Sequence, residues 1–80
     1  MRYAVIEVLP VKGLDGFRQA KVQYVACDLC LSSANDCIKA WGYQAGVKGG
    51  WMERIEDTPE AFDKRVDELN RYAFKGRDTI

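Results

Sequence analysis

The sequence predicts one small α+β domain. Two observations carry this: a run of β-branched and aromatic residues opens the chain, and two later stretches repeat apolar residues at helical spacing. The elements fall in the order strand, strand, helix, strand, helix. Eighty residues hold a single hydrophobic core, so the domain is expected to span 1–80. At 48% hydrophobic and 30% charged, the composition is neither disordered nor collagen-like.

Residues 2–9 read as the first strand, stopped by Pro10. Ala4, Ile6 and Val8 lie on one face and Tyr3, Val5 and Leu9 on the other. A strand apolar on both faces belongs in the middle of a sheet. Gly13, Asp15 and Gly16 mark a turn, and a second strand is expected from about Phe17 to Cys27. There Ala20, Val22 and Tyr24 alternate with Lys21 and Gln23, and apolar residues crowd both faces after Val25. A bulge or the strand's end is expected at that point.

Ala34, Cys37, Ile38, Trp41 and Ala45 then share one helical face. Ser33 is the expected N-cap with Asp36 completing a capping box, although the stripe extends back towards Leu29. Gly42 costs about 1 kcal/mol inside this helix, and Gly46 is the expected C-terminal cap. Lys48, Gly49 and Gly50 give a flexible approach to a third strand, Trp51 to Glu56, with Trp51 and Ile55 facing inwards and Met52 and Arg54 outwards.

The last helix has the fullest set of signals. Thr58 caps it, Pro59 takes its first position, and Gly76 ends it. Phe62, Val66, Leu69 and Ala73 form its apolar stripe. Glu60 and Asp63 near its start, and Arg71 and Lys75 near its end, suit the helix dipole. Residues 77–80 are expected to fray.

A central first strand antiparallel to both others gives a three-stranded sheet of order 2-1-3. The second strand, first helix and third strand then form a crossover. The helices either share one face of this sheet or cover both. If they share one, Tyr3, Val5 and Leu9 leave an apolar strip that a second copy would cover, making a homodimer.

Chemistry is bounded by what the chain lacks. Histidine is absent, which removes the commonest general base and metal ligand, so no catalytic residue, metal or cofactor is expected. Twelve basic residues balance twelve acidic ones, whereas nucleic-acid binders carry a basic excess. Three cysteines cannot all pair with one another, which favours a reducing, cytoplasmic setting. Cys27-Asp28-Leu29-Cys30 has the C-x-x-C form, with no histidine or second pair to complete a zinc site. Its cysteines are expected to act as small hydrophobes; a redox role would instead require a depressed pKa at Cys27 or Cys30. No apolar run reaches membrane-spanning length, and the start of the chain has no cleavage pattern of a signal peptide.

Trp41 and Trp51 are expected in the core. Tyr43 falls off the first helix's stripe and Phe74 off the second's. Phe74 either folds back on the sheet edge or joins Arg71 in a partner contact. Tyr43, Arg54, Arg71 and Phe74 are the candidate partner anchors, since aromatics and Arg concentrate binding energy. Arg18, Lys21, Lys39 and Lys48 are the alternative, a basic strand-and-helix face for nucleic acid. The acidic run Glu53, Glu56, Asp57, Glu60 and Asp63 lacks calcium-loop spacing and is explained by the start of the last helix.

Ser33-Ala34-Asn35-Asp36-Cys37-Ile38-Lys39-Ala40-Trp41, a glycine-containing break, and Trp51-Met52-Glu53-Arg54-Ile55-Glu56 resemble small phage-encoded inhibitors. These include the phage inhibitor of bacterial RNA polymerase and compact anti-CRISPR proteins. The resemblance covers residues 17–56 and is one of topology and spacing. It implies a non-enzymatic protein that occupies a surface of a host protein or complex.

Overall fold

In the computed structural model β1 (Tyr3–Lys12) lies between β2 (Arg18–Leu29) and β3 (Trp51–Glu56), antiparallel to both. The structure describes residues 1–12 and 18–73, without the side chains of Lys12, Arg18, Tyr72 and Ala73. The 2-1-3 order read from the sequence is therefore the observed one. Its cause is visible in β1, where Ala4, Val5, Ile6 and Val8 have no exposed surface. The turn at Gly13, Asp15 and Gly16, together with Phe74, Lys75, Gly76 and residues 77–80, lies outside the described residues.

β1 does not stop at Pro10. It continues to Lys12, with Pro10 opposite Ala20. The Ala20 N–H donates to a side chain, not to β1, so the backbone groups of this pair point away from each other. β3 has ended by then, its last partner being Val8. The missing proline donor thus faces no strand, which is where a sheet tolerates proline. The predicted bulge near Val25 is present: the β1–β2 register shifts on both sides of Val5, opposite Ala26. Asp28 ends the irregular stretch with a left-handed φ of 57°.

The two helices cover opposite faces of the sheet. On one, Ile6 and Val8 pack with Leu69 to form the core, and Ala20, Val22, Trp51, Ile55 and Phe62 surround them. α2 (Pro59–Glu68) and a π-helical turn (Leu69–Ala73) supply that layer. Tyr24 stacks on Phe62 with centroids 4.5 Å apart. α1 (Leu31–Val47) covers the other face, packing mainly across β1 and β3. Val5 is consequently fully buried, so the strip Tyr3, Val5 and Leu9 is not the open surface that would call for a second copy.

Both caps of α1 differ from expectation. Its N-cap is Cys30 and not Ser33, because the helix begins at Leu31. At its other end the Gly49 N–H reaches Gly46 O at 3.0 Å and the Gly50 N–H reaches Ala45 O at 2.9 Å. That is a Schellman motif, with Gly49 at φ +84° taking the role predicted for Gly46. Gly50 is required for a different reason. A Cβ there would meet Val8 O at 2.0 Å, so the glycine pair brings β3 tightly onto β1 and is no flexible approach. α2 starts as the sequence predicts, with Thr58 Oγ1 accepting the Ala61 N–H at 3.1 Å and Pro59 in the first position.

Candidate functional site

α1 is apolar on more than the face it buries. Ala34 and Ala45 are covered, and Cys37 and Ile38 are half-buried. Tyr43 and Val47 are 82% and 70% exposed. They stand one turn apart on the side of the helix away from Ala34 and Ala45, and exposed Ala40 extends the same ridge. Trp41, expected in the core, is 53% exposed. It shares a flank with Lys48, away from the Asn35 flank that meets β3, so it leans towards β2, where α1 packs least.

The other anchors do not join this ridge. Arg54 is exposed but engaged: its Nη1 donates to Asn35 Oδ1 at 2.8 Å, and its guanidinium lies 5.2 Å from the centroid of the Tyr3 ring. It clips β3 to α1. Arg71 belongs to the opposite layer, where its Nε lies 3.4 Å from Asp67 Oδ2. Phase along the helix is the signal that singles out Val47: it is four residues from Tyr43 and equally far from the buried stripe.

The basic residues are dispersed. Lys39 and Lys48 lie about half a turn apart around α1, facing different ways. Lys48 Nζ is 3.9 Å from Oε2 of the buried Glu7, whose Oε1 accepts Gln23 Nε2 at 2.9 Å. Lys21 is exposed on β2, and Arg18 begins that strand.

Cys27 and Cys30 are exposed, so packing does not account for them; Cys37 alone of the three is half-buried. At the helix N-cap, Cys30 Sγ lies 3.2 Å from Ser33 Oγ and 3.5 Å from Ser32 Oγ. Those hydroxyls, with the Ser33 and Ser32 backbone amides, bring its pKa down to about 6. Cys27 is shifted the other way, by desolvation first and then by the Asp57 and Asp28 carboxylates. Asp28 is held by Arg2, whose Nε donates to its Oδ1 at 2.7 Å, and its own N–H donates to Asp57 Oδ2 at 2.8 Å. Among the described residues no His, Cys, Asp or Glu cluster has the arrangement of a metal site, and no helix is long and apolar enough to cross a membrane. No family model, curated protein or solved structure matches the chain.

Proposed function

We propose that this chain is a small non-enzymatic protein-binding module that works by occupying a surface of a larger protein or complex, as the phage-inhibitor resemblance implies. The observation that carries the reading is the exposed Tyr43–Val47 ridge on α1. Exposed apolar side chains one turn apart suit a contact surface, and among the described residues α1 packs on the sheet by its other side. Free thiols fit a reducing, cytoplasmic setting. Salt tests the class of partner. An apolar protein contact holds as salt rises, whereas contacts to nucleic-acid phosphates weaken steeply. Retention of a protein by the immobilised chain at high salt supports the reading; retention of nucleic acid, released by salt, overturns it.

The Cys30 environment favours a second reading, a thiol-dependent protein. An exposed thiolate held by two hydroxyls at a helix start is a good nucleophile. Alkylation of Cys30 no faster than a simple thiol at neutral pH ends that reading.

A further inference from the structure

We propose that the groove between the free edge of β3 and α2 takes an extended, basic segment of a partner protein as a fourth strand of the sheet. Among the described residues no strand pairs with this edge. The Asp57 N–H donates to Arg2 O at 3.2 Å, which sets the phase of the β1–β3 ladder. Counting back in steps of two, Ile55, Glu53 and Trp51 turn their backbone groups towards β1, while Met52, Arg54 and Glu56 turn theirs outwards. Of these, only the Glu56 carbonyl is taken within the described residues, by the Thr58 N–H at 2.9 Å. The β3 ladder is also regular, with no shift in register over its six residues. β2, the other edge, is a poorer template: its ladder is bulged near Val25, and a side chain already occupies its Ala20 N–H.

Beside the β3 edge lies an open groove of about 450 Å³ with Ile55 and Ala61 among its lining residues. Glu60, Lys64 and Glu68 succeed one another at one-turn intervals along the α2 wall. Arg65 also borders the groove, but it is engaged by Glu53 through two hydrogen bonds of 2.8 and 2.5 Å. Two carboxylates on this wall, Glu60 and Glu68, therefore flank one uncommitted cation, Lys64. A strand added here pairs through its backbone and turns every second side chain over the groove, where basic ones lie along Ile55 and Ala61 with their charged ends at Glu60 and Glu68. This is a different surface from the α1 ridge. Its test leaves Tyr43 and Val47 untouched, so either proposal fails without the other.

The probe is a synthetic hexapeptide of alternating lysine and valine, titrated into the isotope-labelled full chain and followed by amide NMR. Shifts are expected at Met52, Arg54 and Glu56, with slowed hydrogen exchange at Arg54. A glutamate–valine peptide should bind at least roughly tenfold more weakly, and Glu60→Lys with Glu68→Lys should abolish that preference. Methylating alternate backbone nitrogens of the lysine–valine peptide should weaken it by a similar factor, and this control needs no variant of the protein. Equal binding of the acidic or the methylated peptide overturns the proposal, as does the absence of β3 shifts at millimolar peptide.

Discussion

Asn70 Oδ1 accepts the Ala20 N–H at 2.7 Å, across fifty positions of sequence. The same carboxamide donates from Nδ2 to Val66 O at 3.0 Å, so both ends of the side chain are satisfied. The π-helical turn beginning at Leu69 sets this geometry. Its wider winding leaves Leu69 in the core, 2% exposed, while the next residue reaches the outer edge of β2.

Asn70→Ala should therefore loosen an edge and leave the core intact. It removes the acceptor of a half-buried amide, at a cost of about 1–2 kcal/mol. Hydrogen exchange at the Ala20 amide should quicken more than at Val8. Unchanged protection at Ala20 would show that water replaces the side chain without loss.

Two glycines should respond oppositely to one methyl group. Around Gly42 a Cβ meets nothing within 4 Å, so Gly42→Ala should stabilise the helix by about 0.5–1 kcal/mol. At Gly50 the same atom would stand 2.0 Å from Val8 O and 2.7 Å from Leu9 Cδ2. Gly50→Ala should destabilise by about 1–3 kcal/mol. Urea denaturation of the two variants checks the signs.

Glu53 and Arg65 tie β3 to α2. The two hydrogen bonds from Arg65 hold the Glu53 carboxyl below its usual range against some desolvation. A folded-state pKa lowered in this way gives stability that is present at neutral pH and is lost as pH falls from about 4.3 through the lower folded value. Glu53→Gln should cost about 1–2 kcal/mol at pH 7 and flatten the acid limb of a stability–pH curve. An unchanged acid limb would assign that limb to other carboxylates.

Cys30 should be the most reactive of the three thiols at pH 7. With a pKa of about 6 it is mostly thiolate there, whereas Cys27 is shifted upwards. Limited iodoacetamide labelling followed by peptide mapping should find Cys30 modified first. Ser33→Ala should slow that labelling, because Ser33 supplies one of the hydroxyls on Sγ.

Much of this fold is legible because its signals are local. β1 is apolar on both faces and lies centrally; Thr58 and Pro59 start α2 at the predicted residue. The misses occur where a neighbour decides. Pro10 stays in β1 because β3 has already ended beside it, and Gly49 displaces Gly46 as the left-handed residue because α1 runs on to Val47. Trp41 lies on the apolar stripe, yet its exposure depends on where α1 sits across the sheet, which periodicity does not encode. The site was readable to a similar degree. Tyr43 stands out by its phase on the helix, whereas the engagement of Arg54 by Asn35 and Tyr3 requires the packed structure.

The α1 ridge is the central claim, and Tyr43→Ala with Val47→Ala tests it most directly. Both side chains are exposed, so the double variant should keep its fold, within about 0.5 kcal/mol in urea. Affinity for the protein retained by the wild-type chain at high salt should fall at least roughly tenfold. Undiminished affinity in a folded double variant would contradict the account.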